Sequence, residues 1–331
     1  IVHGSSLERS GDLKKIEQQF QKGSVGFFCR PKGEPTLEEV SRIIEAGRRQ
    51  GTCWIAGIGG GSVIDAAKAA AGLFHSSLPP AAYQEGALLT EPPLPFIAVP
   101  TTAGTGAEAT SNAVIINPDK QVKLSIRDKR FLARTVILDA GLLRDIPRSV
   151  LCYAAMDAYV QSYESYISRN ADWFSEVLSL KGLELIDRHV EAAFAEKNEP
   201  DLSALLLGSY LTGIAFHISR LGLIHGIAHP LGVLYDQPHG LVCAVCFLSS
   251  LRLNRTAMGK KYDALSETVN QDFTARIESL LSRFSIESPF RGKGIPQKEE
   301  IIAAALASGS TAANPKPVER HDIESVLDEL F

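Results

Sequence analysis

The chain has 331 residues, of which 45% are hydrophobic and 22% charged, with a formal net charge of -4 at pH 7. That length supports a large core and predicts two domains, while the near-neutral balance, with no basic surplus, argues against a nucleic-acid partner. No apolar run approaches the ~20 residues of a membrane span, so no membrane partner is expected.

Taken in order, Ile1-Val2-His3 reads as the end of a strand, so an upstream segment is expected, and Gly4-Ser5-Ser6 reads as a turn. Residues 11–22 predict a helix with charged faces, and Val25–Cys29 is an apolar run. Thr36 opens a helix that continues to Arg49, with Glu39 completing a capping box. Cys53–Gly57 predicts a strand that runs into Ile58-Gly59-Gly60-Gly61-Ser62, and Val63–Gly72 is an Ala-rich helix. After a Pro-rich surface loop at Leu88–Pro95, Phe96–Val99 predicts a strand leading into Pro100-Thr101-Thr102-Ala103-Gly104-Thr105-Gly106. Ala113–Ile116, a basic hairpin-like stretch through Arg127, and Thr135–Leu138 complete this half. Strands alternating with helices indicate a parallel α/β sheet with helices on both faces.

From Leu142 the pattern changes to helices with almost no strand signal. Helical periodicity covers Ser149–Ile167, Phe174–Glu196, Leu202–His217, Thr256–Val269, Asp272–Phe284, Gln297–Ser308 and His321–Phe331. Pro147 interrupts the chain at the change, so an α/β domain over 1–146 and an all-helical domain over 147–331 are expected. The cysteines are odd in number and scattered, which fits a reducing cytoplasm. Cys243-Ala244-Val245-Cys246 has the spacing of a redox or metal motif, but Leu241, Val242, Val245 and Phe247 around it read as a buried apolar element, so the pair is expected to be packed core thiols.

Gly59-Gly60-Gly61-Ser62 follows a strand and opens a helix, where backbone N–H groups unobstructed by a Cβ can cradle a pyrophosphate. The hydroxyl-bearing loop from Pro100 to Gly106 leaves the next strand. Ligands of open α/β sheets bind beyond the carboxyl ends of the strands, so the two turns point to one nucleotide crevice. In the second half, His225, His229 and His239 fall within fifteen residues of a chain that has only eight histidines. His225 and His229 are i,i+4 and share a helix face, Pro230 disfavours a straight continuation, and the Pro-His-Gly corner can return His239 from a following loop. Converging imidazoles suit a divalent transition metal. Asp157 and Gln161, also i,i+4, lie on an otherwise apolar helix where a carboxylate is costly to bury unless paired or coordinated. Tyr153, Tyr159, Tyr163 and Phe247 are candidates for either a substrate pocket or the core.

GGGSVIDAAKA, PTTAGTGAEAT, the Asp157 helix and GLIHGIAHPLGVLYDQPHG, in this order, closely resemble the iron-containing (group III) alcohol dehydrogenase family, and Ala312–Val318 resembles that family's closing segment. The resemblance implies a Rossmann-like α/β nucleotide domain followed by an all-α domain, as in dehydroquinate synthase. It also implies a homodimer, and a chain that starts at the family's second strand. Carried over, it places the pyrophosphate on Gly60, Gly61 and Ser62, with Thr101, Thr102, Thr105, Val114 and Lys123 around the rest of the dinucleotide. At the end of the first strand, where NAD-preferring members tend to carry an Asp, this chain has His3-Gly4-Ser5-Ser6. Gly4, Ser5 and Ser6 leave room for a 2′-phosphate, which favours NADP(H) over NAD(H).

The same resemblance assigns the metal, Fe(II) or Zn(II), to Asp157, His225, His239 and the position four residues after Asp157. That fourth position is Gln161 rather than His, and a glutamine carbonyl is a poorer partner than imidazole. Three arrangements are then open: three good ligands supplemented by Gln161 or water, a weakly held metal, or none. His229 matches the non-ligand histidine near nicotinamide and substrate and is the candidate catalytic proton relay. The implied activity interconverts a small aldehyde and its primary alcohol. The alternatives are a cyclising lyase of the dehydroquinate synthase type and a catalytically weakened nucleotide-binding member.

Overall fold

The strands are Val2–Gly4 (β1), Phe28–Arg30 (β2), Ile55–Gly59 (β3), Phe96–Pro100 (β4), Asn112–Asn117 (β5), Val122–Arg127 (β6) and Thr135–Val136 (β7) in the computed structural model. It describes residues 1–120 and 122–331, so within the expected hairpin Gln121 lies outside the described residues. The chain forms two compact units, Ile1–Ile146 and Pro147–Phe331.

In the first unit a five-stranded parallel sheet has the order β2-β1-β3-β4-β7, and β5 and β6 form a separate antiparallel pair. The α-helices that accompany them among the described residues are Ser5–Arg9 (α1), Asp12–Glu17 (α2), Leu37–Arg49 (α3), Gly61–Gly72 (α4) and Pro80–Gln84 (α5). β3 is buried along its length, and its Gly57 lets Ala67 of α4 approach so closely that an added Cβ would sit 2.8 Å from the Ala67 Cβ. The register pairs His3 with Ile58 and Gly59 with Pro100, which puts the carboxyl ends of β1, β3 and β4 at one sheet edge.

Several local expectations are corrected. Gly4-Ser5-Ser6 is not a free turn: Ser5 and Ser6 begin α1, which buries Leu7. β3 starts two residues later than expected, because Cys53 is exposed and pairing begins where the Ile55 N–H meets the Pro95 carbonyl at 3.0 Å. Thr36 caps α3 by accepting the Glu39 N–H at 3.2 Å, but the Glu39 carboxylate does not return to Thr36. It instead forms a buried pair with Arg30, Nε to Oε1 2.6 Å.

The second unit is helical: Arg148–Ile167 (α6), Trp173–Glu196 (α7), Glu199–Ser219 (α8), Leu223–Leu234 (α9), His239–Met258 (α10), Lys261–Thr268 (α11), Phe273–Arg283 (α12), Lys298–Ala307 (α13) and Arg320–Leu330 (α14). α6 is its central element, with an unbroken buried run from Ala155 to Ile167. Tyr159, Tyr163, Phe247 and Phe273 interlock as a buried ring cluster, with Tyr163 and Phe247 centroids 5.0 Å apart, so Tyr159, Tyr163 and Phe247 belong to the core. Contrary to the expectation from composition, α8 and α10 are each long and apolar enough to cross a membrane. Half or more of each apolar window is buried within the protein, at 50% and 61%, as in core helices.

Pro230 lies inside α9, which continues to Leu234 rather than ending at the proline. The proline removes one N–H donor from the helix, and Leu231, the residue after it, is buried. His239 is accordingly the first residue of α10 and not a loop residue.

Candidate metal centre and nucleotide turn

In the first unit the chemistry-bearing turns leave the aligned ends of β1, β3 and β4. Gly60 is the extended N-cap of α4, and its missing Cβ would lie 3.5 Å from the Thr102 side chain. At Gly61 an added Cβ would meet the Thr105 Oγ1 at 2.6 Å, so glycine is required for the two loops to approach. The Thr101 N–H donates to the Gly59 carbonyl at 3.0 Å, tying the second loop to the end of β3. Gly60, Gly61, Ser62, Thr101, Thr102 and Thr105 are therefore brought together, with the first N–H groups of α4 among them.

Helix α4 also anchors the segment from Ala107 to Val114. The Lys68 Nζ donates to the Ala107 carbonyl at 2.6 Å, the Asn112 carbonyl at 2.7 Å and the Thr110 hydroxyl at 3.1 Å. Asp65 accepts the Val114 N–H at 3.1 Å, which fixes Val114 against α4. Burial lowers the Lys68 ammonium, raises the Asp65 carboxyl, and pushes Glu108 up to about 7. Lys123 is on β6, where its Nζ pairs with Glu34 at 2.7 Å. Two residues that sequence reasoning passed over join the turns: Arg30 donates to the Ser62 hydroxyl at 3.0 Å, and Arg9 donates to the Ser5 hydroxyl at 2.8 Å. Arg9 was detectable as the i+4 neighbour of Ser5 on α1.

In the second unit three helices converge. Asp157 and Gln161 share a face of α6, His225 is in the first turn of α9, and His239 opens α10. Gly240 makes the approach of α10 possible, since a Cβ there would collide with the Tyr153 carbonyl. The Asp157 Oδ1 lies 3.3 Å from the His225 Nε2 and 3.8 Å from the His239 Nε2. Asp157 and His225 are both 2% exposed. Neither the Asp157 Oδ1 nor the Gln161 Oε1 has a hydrogen-bond partner of good geometry, although both are buried. Buried polar atoms left this way mark a place for a cation rather than for mutual hydrogen bonding.

His229 is exposed on α9 and stacks on His239, with ring centroids 5.0 Å apart and planes 9° apart. It is next to the donor set without sharing it.

Two residues here were not foreseen. Glu164, two helical turns after Asp157, accepts from the His225 Nδ1 at 2.6 Å and from the Ile224 N–H at 2.6 Å. Cys243 is buried, as expected of a core thiol, and its Sγ also lies 3.5 Å from the His239 Nε2 and 3.8 Å from the His225 Nε2. Its spacing from His239, i to i+4 on one helix, was the available signal. Burial alone would raise the Asp157 carboxyl, but His239 and His225 hold it below its ordinary value. His225 loses some basicity to burial, but Cys243, Asp157 and Glu164 raise it well above the usual imidazole range. Burial pushes the Cys243 thiol up to about 12. A cluster this polarised suits a cation that displaces its protons. A further trio, His3, Glu8 and Cys29, also places donor atoms close together, but Glu8 and Cys29 are exposed.

Residues 1–140 match the model of iron-containing alcohol dehydrogenase, and residues 151–331 match that of the Fe-containing alcohol dehydrogenase family C-terminal domain. A sulfoacetaldehyde reductase of Bilophila wadsworthia is 30% identical over 335 residues, covering 100% of this chain and 84% of that protein. A lactaldehyde reductase of Escherichia coli K12 is 30% identical over 342 residues, covering 98% and 89%. Among solved structures, a 1,3-propanediol oxidoreductase matches with a TM-score of 0.93 at 26% identity, covering 100% of this chain and 92% of that one. The architecture, a parallel-sheet α/β unit followed by a helical unit, is thus that of known relatives. The chain belongs to the iron-containing alcohol dehydrogenase family and is an oxidoreductase.

Proposed function

We propose that the protein interconverts a small aldehyde and its primary alcohol, using a nicotinamide dinucleotide and a divalent metal. The observation that carries this reading is the buried Asp157 Oδ1, which lacks a hydrogen bond and faces the Nε2 atoms of His225 and His239. Asp157, His225 and His239 would hold the metal, and the buried Gln161 carbonyl, four residues after Asp157 on α6, is a poorer candidate for a fourth donor. A divalent ion there supplies Lewis-acid polarisation of the carbonyl group.

This chain's own residues provide the remaining functions. Glu164 fixes the ring of His225 through its Nδ1, leaving Nε2 for the metal side. His229, exposed and stacked on His239, takes the role of proton relay, since an imidazole ordinarily titrates near neutrality. Gly60, Gly61 and Ser62 cradle the pyrophosphate at the start of α4, with Thr101, Thr102 and Thr105 opposite. Gly4 places no carboxylate at the end of β1, and the Arg9 guanidinium beside Ser5 offers a cation for a 2′-phosphate, so NADP(H) is the preferred cofactor.

The names of the relatives, reductases of sulfoacetaldehyde and lactaldehyde, support reduction of a short aldehyde over lyase chemistry. The test is a spectrophotometric assay of metal-loaded protein with NADPH or NADH and a panel of short aldehydes. NADPH oxidation with at least one aldehyde is expected, with a lower KM for NADPH than for NADH. No turnover on any aldehyde would overturn the reductase reading, and a strong NADH preference would overturn the cofactor assignment.

A further inference from the structure

The donors at the convergence of α6, α9 and α10 include one that the histidine pattern did not contain. The Asp157 Oδ1, His225 Nε2, His239 Nε2 and Cys243 Sγ all lie within 4.8 Å of one another. A tetrahedral centre with bonds of about 2.0 Å to N or O and about 2.3 Å to S has edges of about 3.3 Å between N and O ligands and about 3.5 Å from N to S. The separations from Asp157 are 3.3 Å to His225 and 3.8 Å to His239, and those from Cys243 are 3.8 Å and 3.5 Å. Four of the six edges thus lie within about 0.5 Å of those values, and the other two, Asp157 to Cys243 and His225 to His239, are within 4.8 Å.

We propose that Cys243 is the fourth protein ligand, completing an Asp157–His225–His239–Cys243 centre, and that its sulfur turns the site toward Zn(II) rather than Fe(II). Cys243 takes the place that Gln161 cannot fill well, because a thiolate is an anionic, soft donor and an amide carbonyl is neutral and hard. The assignment does not rest on a cysteine alone, since the buried Asp157 Oδ1 faces the same point without a hydrogen-bond partner. Cys246, three residues on, is buried and is not among the converging donors, so the C-x-x-C spacing is not the operative unit. Metal binding displaces the thiol proton to solvent, so uptake through Cys243 releases a proton. The inference rests on the metal reading of the proposed function.

Metal-stripped full-length protein titrated with Co(II) provides the test, because cobalt bound to a thiolate shows an intense near-ultraviolet charge-transfer band that histidine and carboxylate ligands do not give. The band is expected in the wild-type protein, lost in Cys243→Ser and retained in Gln161→Ala. Zn(II) affinity, measured by chelator competition, should fall in Cys243→Ser by more than the roughly 10–100-fold that accompanies loss of a hydrogen-bond partner of a ligand. Circular dichroism and thermal unfolding of the metal-free variants show whether each is folded. If cobalt binds without the band, or the band survives in Cys243→Ser, the cysteine assignment is overturned and the metal reading stands. If wild-type protein binds neither cobalt nor zinc, both fall together.

Discussion

Glu164 Oε2 lies 2.6 Å from the Nδ1 of His225, and its other oxygen accepts the Ile224 N–H, so one buried carboxylate orients both the ring and the start of the helix that carries it. Such a partner fixes the ring tautomer and raises ligand basicity. Glu164→Gln is expected to lower metal affinity roughly 10–100-fold while leaving the donor atoms in place. Chelator competition measures this, and an unchanged affinity would show that the helix packing alone positions His225.

The approach of Gly61 to Thr105 makes a second expectation. In Gly61→Ala the new methyl group meets the threonine hydroxyl, so one loop has to retreat from the start of α4. The KM for the dinucleotide should rise about tenfold or more, corresponding to about 1.4 kcal/mol of binding. Bound metal per chain should not change, and a parallel loss of metal would sink this explanation.

Lys68 is fully buried and holds together the Ala107, Thr110 and Asn112 segment. Lys68→Met removes the cation while Asp65 and Glu108 remain buried nearby. The expected cost is on the order of 3 kcal/mol, seen as a lower urea midpoint. A variant as stable as wild type would mean that protonation of the carboxyls absorbs the loss.

Glu108 gives the pH dependence. Its carboxyl is pushed by burial from 4.5 to about 7 in the folded protein. A raised acid binds its proton more tightly folded than unfolded, so its contribution is fully present below pH 4.5 and is lost as pH rises through 7. Thermal unfolding of wild type against Glu108→Gln should show a gap that shifts by up to roughly 3 kcal/mol in favour of the variant across that window. Parallel curves for the two proteins would contradict the assignment.

The legible parts of the sequence were those encoded by local spacing. The glycines before Ser62 and the His225, His229 and His239 run are contiguous motifs, and their backbone roles derive from strand-to-helix geometry. The element borders moved where tertiary contacts decided them, as at Ile55, whose N–H is paired by the Pro95 carbonyl forty residues away. The nearness of Cys243 to His225 and His239 was not legible because its neighbours are apolar, and a core element and a buried ligand look alike until the opposing helix is known. Glu164 was missed for a related reason: its significance depends on α9 beginning against α6, a pairing that spacing alone does not show.

The convergence of α6, α9 and α10 on one point also bears on durability. A divalent ion there would act as a staple between segments about seventy residues apart in the chain. Free ion at a hundred times its dissociation constant adds about 2.7 kcal/mol to the folded state. Melting temperature would then report free metal concentration, and scarcity of the ion would shorten the life of the protein as well as silence it.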